Sequence, residues 1–185
     1  MRKLFWQISV TLDGFMEGSD KGLGDTAGFP DSDFEKYASA MLSEIGDIVI
    51  GRRTYDLFVS YWPHAQGPDA FLLNRLPKHV ASRSLRQVEW ENATLVSGDM
   101  TDHVRKLKGS EGRDIALFGS AELANHLLNA GLVDEIRVLM TPVLLGQGSP
   151  AFLRPVRQPL KLIREERWES GTVMLCYRPL SESNP

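Results

Sequence analysis

Two turns in the sequence have the residue types that hold a phosphate group. Gly51 ends the apolar run 48–50 and opens a helical pattern whose first turn carries two arginines and a threonine. Gly119 ends a second apolar run, and Ser120 then opens a second helical pattern. Because glycine has no β-carbon, an anion can approach the backbone there, and the N–H groups of a first helical turn donate to it. Each turn is therefore a candidate phosphate site, and Ser120 is expected to cap its own helix.

A third candidate follows the strand-like run 79–81, where Ser82 and Arg83 stand next in the chain. A hydroxyl and a guanidinium suit a phosphate, and no carboxylate of the kind that binds a free ribose hydroxyl is evident there. In open α/β sheets, ligands bind outside the carboxyl ends of the strands, so all three turns are expected to face one crevice. Together they predict a phosphorylated nucleotide, although each alone is more typical of an ordinary turn or a solvated charge.

The elements that must position these turns alternate along the chain, with helical patterns between most of the strand-like runs, which favours a parallel sheet. The last two runs are joined by Glu169-Ser170-Gly171, a hairpin turn that adds an antiparallel edge. We therefore predict an α/β fold of three layers, with a mixed, mostly parallel central sheet flanked by helices and a C-terminal antiparallel hairpin. The predicted strands are Leu4–Leu12, Asp47–Ile50, His79–Ala81, Thr94–Val96, Ile115–Phe118, Ile136–Met140, Lys161–Trp168 and Thr172–Arg178.

Several residues mark the ends of helices and of the domain. Ser32-x-x-Glu35 is a capping box at the start of a helix that we predict to end at Gly46. Gly131 is predicted to end the helix that follows Ser120. No repeat or linker divides the chain, so residues 1–180 are predicted to form a single domain and residues 181–185 a flexible tail.

The segment Asp13–Gly28 carries five glycines in 16 residues, directly after the first strand. Long glycine-rich loops are uncommon in compact domains unless they serve binding, so we predict a mobile loop over the site, the alternative being an ordinary surface connection. The loop contains Gly22-x-Gly24-x-x-Ala27, which superficially matches a dinucleotide fingerprint. That match is discounted because no buried strand immediately precedes it and no clear helix follows it.

The composition excludes several classes of function. The chain has 21 basic and 24 acidic residues, a net charge of −3, and no long basic run, so nucleic acid is not an expected partner. No apolar run approaches the roughly 18 residues that cross a bilayer, and no leader is evident, so a cytoplasmic protein without membrane association is expected. The single cysteine, Cys176, can form no internal disulfide and is expected to be buried. The four histidines form no ligand pairs with it, so no metal site is expected.

Six short motifs follow one another along nearly the whole chain. They are Ser9-Val-Thr-Leu-Asp13-Gly14-Phe15, Gly51-Arg-Arg-Thr-Tyr55, Ser82-Arg83, Gly119-Ser-Ala-Glu-Leu123, Gly131-Leu-Val-Asp-Glu135 and Thr141-Pro-Val-Leu-Leu-Gly146-Gln-Gly148. In order and spacing they resemble the dihydrofolate reductase-like family. The branch they resemble holds the C-terminal reductase domain of the riboflavin-biosynthesis deaminase-reductase and its stand-alone relatives.

This resemblance implies a reductase that uses NADPH and transfers hydride to a small nitrogen heterocycle or an imine-like bond. The riboflavin-type substrate is 5-amino-6-(5-phosphoribosylamino)uracil; a dihydrofolate or pterin reductase and a non-catalytic NADPH-binding or regulatory module are the alternatives. The turns at 51–54 and 119–123 would hold the pyrophosphate, Arg52, Ser82 and Arg83 would meet the adenosine 2′-phosphate, and the backbone at Ser9 and Val10 would face the nicotinamide amide. The implied cofactor-binding residues are Ser9, Val10, Gly51, Arg52, Arg53, Thr54, Ser82, Arg83, Gly119, Ser120, Ala121, Glu122 and Leu123.

Dihydrofolate reductases carry a carboxylate on the helix that lines the pterin pocket, and Asp31, Asp33 and Glu35 are the nearest candidates here. Asp33 is our first choice as the catalytic residue, since the capping box accounts for Glu35. The aromatic segments 5–7 and 58–63 are able to stack on a planar small-molecule substrate, although aromatic side chains more often form core. A homodimer is also expected, because relatives commonly pair and the C-terminal strands leave a sheet edge.

Overall fold

A computed structural model of the protein describes residues 1–18, 32–153 and 157–180. The strands within these residues are β1 (Leu4–Thr11), β2 (Phe15–Glu17), β3 (Ile45–Gly51), β4 (Lys78–Ala81), β5 (Ala93–Val96), β6 (Asp114–Phe118), β7 (Glu135–Thr141), β8 (Ser149–Pro150), β9 (Leu160–Arg167) and β10 (Val173–Pro179). The helices are α1 (Ser32–Glu44), α2 (Arg52–Tyr61), α3 (Pro68–Arg75), α4 (Met100–Gly109) and α5 (Ala121–Asn129).

Eight strands form one sheet in the order β5-β4-β3-β6-β1-β7-β10-β9. The strands from β5 to β7 in this order are parallel to their neighbours, as the crossovers between them require. In contrast, β10 runs antiparallel to both β7 and β9. The tight turn that joins β9 to β10 includes Gly171, whose φ is +87°. The predicted mixed, mostly parallel sheet with a C-terminal antiparallel hairpin is therefore confirmed.

Two apolar clusters cover opposite faces of this sheet, because successive side chains of a strand point to opposite sides. On one face, Trp6 and Ile8 of β1 pack in a cluster with residues of α4 and α5. On the other face, Phe5 belongs to a cluster that includes residues of α1, α2 and α3. Both faces of the central strands are thus covered, which explains their near-continuous apolar runs and confirms the three predicted layers.

The predicted helix ends had different outcomes. Helix α5 ends as predicted: Gly131 has φ +68°, and the N–H groups of Gly131 and Leu132 donate to the carbonyls of Leu128 and Leu127, both at 3.0 Å. The predicted helix end at Gly46 is wrong, because α1 stops at Glu44 and Gly46 lies within β3. A β-carbon at Gly46 would lie 2.9 Å from the Arg2 guanidinium, so this glycine serves a close packing contact instead.

The described start of the glycine-rich segment after β1 is held by hydrogen bonds. The Asp13 carboxylate accepts hydrogen bonds from the Thr11 hydroxyl at 2.6 Å and the Gly146 N–H at 2.7 Å, and these bonds lower the pKa of its carboxyl. Strand β2 then pairs with β8; sequence patterns missed both strands because two or three residues carry too little periodicity. The rest of the predicted loop, with Gly22 and Gly24, lies outside the described residues, as do Asp31 and the predicted tail 181–185.

Two further features bear on the predictions from composition. Cys176 is buried in β10, as predicted, and burial raises the pKa of its thiol. Within the described ranges, no helix is both long and apolar enough to cross a membrane.

Candidate cofactor and substrate cleft

A cleft of about 1320 Å³ opens at the carboxyl ends of the parallel strands. Strands β3, β4 and β6 end side by side there, because Gly51 pairs with Ala81 and Ile50 pairs with Phe118 in the sheet register. The three predicted phosphate turns therefore line one cleft, as the rule for open α/β sheets led us to expect. All of the predicted cofactor-binding residues except Val10 line it.

Helices α2 and α5 begin at this cleft with uncapped N-termini. The residues at their N-cap positions, Gly51 and Ser120, make no side-chain hydrogen bond to the first turn. Helix α4 differs, because the Asp99 carboxylate accepts a hydrogen bond from the Thr101 N–H at 2.6 Å. An uncapped first turn keeps free N–H groups and the positive end of the helix dipole. Two such turns side by side suit an anion with more than one charged group, such as a pyrophosphate.

The predicted capping role of Ser120 is wrong. Ser120 has a left-handed backbone conformation, with φ +49°, and its hydroxyl turns toward the neighbouring β3–α2 turn. Its Oγ accepts a hydrogen bond from the Gly51 N–H at 2.8 Å and shares one with Thr54 Oγ1 at 2.9 Å. A β-carbon at Gly51 would clash with Ser120 Oγ, so glycine is needed for this approach. Ser120 thus ties the two phosphate turns together.

The two arginines after Gly51 have different partners. Arg52 donates to Ser84 Oγ at 2.5 Å, which joins the start of α2 to the turn after β4. Arg53 forms an ion pair with Glu17 at 2.6 Å, and the Glu17 side chain is 5% exposed. Glu17 Oε1 is buried without a hydrogen-bond partner among the described residues. Arg53 is therefore shared between the phosphate turn and β2, a contact for which the sequence carried no signal.

Ser82 and Arg83 lie in the cleft lining beside Ala81 and Ser84. Ser82 Oγ accepts hydrogen bonds from the backbone N–H groups of Ser84 at 3.2 Å and Leu85 at 3.0 Å, so it shapes this turn. Arg83 is exposed, and across the described ranges its guanidinium has no hydrogen bond or ion pair. Since the segment 78–88 contains no acidic residue, no carboxylate of this segment offsets the charge of Arg83.

At the floor of the cleft the sheet opens between β1 and β6. The two strands pair from Leu4 to Gln7 of β1, and Gly119 then leaves the sheet toward α5. Beyond Gln7, β1 continues in register with β7 alone within the described chain. Ser9 lines the cleft as expected, whereas the Val10 side chain is buried in the core of the opposite face. The exposed backbone edge beside Ser9 needs hydrogen-bond partners, which an amide group of a ligand is able to supply.

Asp33, the predicted catalytic residue, is not among the residues that line the cleft. Its carboxylate accepts a hydrogen bond from the Glu169 N–H at 3.2 Å and lies 3.4 Å from Lys36 Nζ. Asp33 lines a separate, smaller hollow together with Arg137 and other residues. Glu35 lines the cleft instead, because residues two apart on a helix are turned by about 200° from one another.

One side of the cleft is an aromatic wall formed by α1 and α2. Within it, Tyr61 is 63% exposed, whereas Phe58 also packs on the buried rings of Trp90 and Phe118. The predicted aromatic segment 58–63 is therefore partly cleft surface and partly core, and Phe5 and Trp6 are core alone. The rings of the aromatic wall are Phe34, Tyr37, Phe58, Tyr61 and Trp62, and Leu57 also lines this side of the cleft.

Sequence reasoning missed Gly98 and His126, which also line the cleft. Gly98 follows the short strand β5 with φ +107°, and the next residue caps α4. His126 Nε2 lies 2.9 Å from Thr101 Oγ1, so it links α5 to the start of α4. The turn Ser97-Gly98-Asp99 after a strand-like run was the available signal, since it repeats the strand-glycine-helix order of the other two turns.

Comparison with known proteins gives the family of this chain. The model of one family, described as the RibD C-terminal domain, matches residues 2–176. The chain belongs to this family. The RibD C-terminal domain is of the riboflavin-pathway reductase type, so the resemblance drawn from the six motifs is confirmed.

Relatives of this RibD C-terminal domain protein include both short and long chains. The uncharacterized protein YyaP of Bacillus subtilis (strain 168) is 34% identical over 95% of this chain and 94% of its own length. The riboflavin biosynthesis protein RibD of Corynebacterium ammoniagenes is 26% identical, and the match covers 95% of this chain but 50% of that protein. A proposed riboflavin biosynthesis protein from Shewanella sp. PV-4 shares the fold, with a TM-score of 0.78, 21% identity, and coverage of 97% of this chain and 99% of that one.

Proposed function

We propose that this protein is an NADPH-dependent reductase that transfers hydride to a small nitrogen heterocycle or an imine-like bond. The observation that carries the proposal is the pair of uncapped helix N-termini at the carboxyl ends of adjacent strands β3 and β6. RibD-type reductases use NADPH in general, and this arrangement is the part of the cleft that suits its pyrophosphate.

The donor set of the described residues fits NADPH better than NADH. The N–H groups of the first turns of α2 and α5, with the Thr54 hydroxyl nearby, suit pyrophosphate oxygens. Arg52 and Arg83 are guanidinium groups on the turns beside them, and such groups pair with phosphate oxygens through two parallel hydrogen bonds. The lack of a carboxylate in 78–88 removes the usual partner of a free 2′-hydroxyl.

The remaining residues of the cleft serve the reaction by position. When bound, the nicotinamide supplies the hydride. The open β1 edge beside Ser9 orients its amide, and the aromatic wall packs against a planar substrate and excludes water from the reacting atoms. Glu35 is the carboxylate that α1 presents to the cleft, so it replaces Asp33 as our candidate proton donor.

Calorimetric titration with NADPH and with NADH tests the cofactor, and NADPH oxidation tests the reaction. We expect tight NADPH binding and weak NADH binding. Oxidation is then followed with 5-amino-6-(5-phosphoribosylamino)uracil, dihydrofolate and a dihydropterin as substrates. Turnover of a folate or pterin alone would favour the pterin reductase alternative, and binding without turnover across the panel would favour a non-catalytic NADPH-binding module. Absence of NADPH binding would refute the proposal.

We further propose that the protein acts as a homodimer in the cytoplasm. Strand β9 is an edge strand of eight residues, and its side chains Leu160, Leu162 and Ile163 are about 40% exposed. An unprotected edge of this length pairs readily with a second chain, and a symmetric copy would cover it. The buried thiol of Cys176 suits a reducing compartment. A monomer mass in light scattering at micromolar concentration would contradict the dimer.

A further inference from the structure

Gln7 brings an unused hydrogen-bond donor to the floor of the cleft. It lies on β1 at the point where the sheet opens, paired with Phe118 of β6 on one side and Arg137 of β7 on the other. Its side chain lines the cleft, yet its Nε2 is buried without a hydrogen-bond partner among the described residues. A buried amide nitrogen in this state is costly, because nothing replaces the water it has lost.

Tyr37 fixes the orientation of this amide. The Tyr37 hydroxyl of α1 donates a hydrogen bond to Gln7 Oε1. Burial raises the pKa of Tyr37 to about 12, so the hydroxyl keeps its proton at every physiological pH and remains a donor. Because Oε1 is held as an acceptor, the two N–H groups of Nε2 must point to the other side of the amide.

Arg137 is the neighbour of Gln7 in the β1–β7 register. Its positive charge opposes the rise in the pKa of Tyr37 that burial causes. Arg137 is itself held in place, since its Nε donates to Glu135 Oε1 at 2.6 Å and its guanidinium lies 3.7 Å from the centre of the Phe5 ring.

Resting on the proposed function, we propose that the Gln7 amide is the substrate-binding donor of this cleft and that Tyr37 is its positioning residue. The group that it recognises is a neutral acceptor, the ring carbonyl oxygen of a planar heterocycle. An amide donor suits such an acceptor, whereas an anionic group is better met by an ammonium or a guanidinium.

The surroundings of Gln7 favour the same class of substrate. The aromatic wall supplies flat apolar surface on the face of the sheet where Tyr37 meets Gln7. On the helices of that face, the arginines of the first turn of α2 line the cleft. The other charged groups that the described residues of these helices bring to it are the carboxylates of Glu35 and Asp69. Carboxylates repel an anionic ring, so the ring that meets Gln7 is expected to be an uncharged heterocycle that carries a carbonyl.

Two probe molecules test this without turnover: 2,4-dioxopteridine, which carries ring carbonyls, and unsubstituted pteridine, which does not. Calorimetry with each is run on the full chain, with and without NADPH, for the parent and for Gln7→Leu, Gln7→Glu and Tyr37→Phe. Tyr177→Phe is the matched tyrosine control, because Tyr177 lies on β10 outside the cleft lining. Thermal unfolding is recorded for each variant to separate a loss of binding from a loss of folding.

We expect the parent to bind the dioxo probe more tightly than pteridine. Gln7→Leu is expected to lower the affinity for the dioxo probe about tenfold and the affinity for pteridine less than about twofold. Gln7→Glu, which replaces the donor with an acceptor, is expected to weaken the dioxo probe further. Tyr37→Phe is expected to give an intermediate loss, because the amide stays but is free to rotate, and Tyr177→Phe no loss.

A parent protein without preference for the dioxo probe, including one that binds neither, would overturn the role of Gln7. So would a Gln7→Leu variant that weakens both probes equally. NADPH titration of the parent reports on the proposed function independently, since a chain that binds the dioxo probe through Gln7 but not NADPH would refute the reductase alone.

Discussion

Replacing Ser120 with alanine removes the hydroxyl that joins the two phosphate turns. The change deletes the acceptor for the Gly51 N–H at 2.8 Å and the partner of Thr54 Oγ1 at 2.9 Å. Each such hydrogen bond contributes about 0.5–1.5 kcal/mol net, so the free energy of unfolding should fall by about 1–3 kcal/mol. For a chain of this length that corresponds to a decrease in Tm of about 2–12 °C. Because the two helix N-termini lose their mutual alignment, we expect NADPH to bind about tenfold more weakly.

A second substitution at the same position distinguishes the effect of the hydroxyl from the effect of the backbone conformation. Ser120 has φ +49°, a conformation that costs residues other than glycine about 1–2 kcal/mol. Ser120→Gly is therefore expected to lower Tm less than Ser120→Ala while weakening NADPH as much. Ser60→Ala is the control, since its hydroxyl donates to the Leu57 carbonyl within α2 and is exposed. Calorimetry and thermal unfolding measure both effects, and unchanged NADPH affinity in both Ser120 variants would refute the coupling of the turns.

Three further predictions follow from charged groups near the cleft. Arg83→Ala is expected to weaken NADPH about tenfold and NADH less than about twofold in calorimetric titration, because the guanidinium meets the 2′-phosphate; equal losses would place that phosphate elsewhere. Asp13→Asn is expected to lower Tm at neutral pH, and the difference from the parent should disappear as the pH falls. The pKa of Asp13 is lowered by its hydrogen bonds, so its stabilising effect is present above the ordinary value of 3.8 and is lost as the pH falls through the lowered pKa. A Tm difference that stays constant into the acid range would contradict this. Glu17→Gln is expected to strengthen NADPH binding about two- to fivefold, because Arg53 is released from an ion pair worth at most about 1 kcal/mol; weaker binding would show that Arg53 does not serve the phosphate.

Much of the fold could be predicted because it rests on local patterns. The main-sheet strands were all anticipated to within a few residues, since buried parallel strands appear as apolar runs between turn residues. The end of α5 was predicted correctly from Gly131, because the left-handed residue that follows a helix is chosen by the local sequence. The end of α1 was misplaced because Gly46 serves a contact with Arg2, distant in sequence, rather than a helix cap.

In the candidate site, too, features set by local sequence were predicted and contacts between distant residues were not. The glycine turns and the arginines near them were predicted from residue types and their spacing, and all of them line the cleft. Asp33 was preferred to Glu35 because the capping pattern accounts for Glu35, but it is Glu35 that lies on the face of α1 toward the cleft. Glu17 could not be found at all, because its partner Arg53 is brought to it by the pairing of two very short strands.

The sequence by itself determined the order of strands and helices, the three turns able to hold phosphate and the family they resemble, because each depends on residues close together in the chain. Only the tertiary structure decided how those residues are used. It turned Ser120 from a cap of its own helix into a link to Gly51 and Thr54, and it placed Tyr37 so that the Gln7 amide faces one way. These hydrogen bonds join residues that are 30 to 69 positions apart, and the direction of a hydrogen bond between such residues is set by the packing of strands and helices rather than by local spacing.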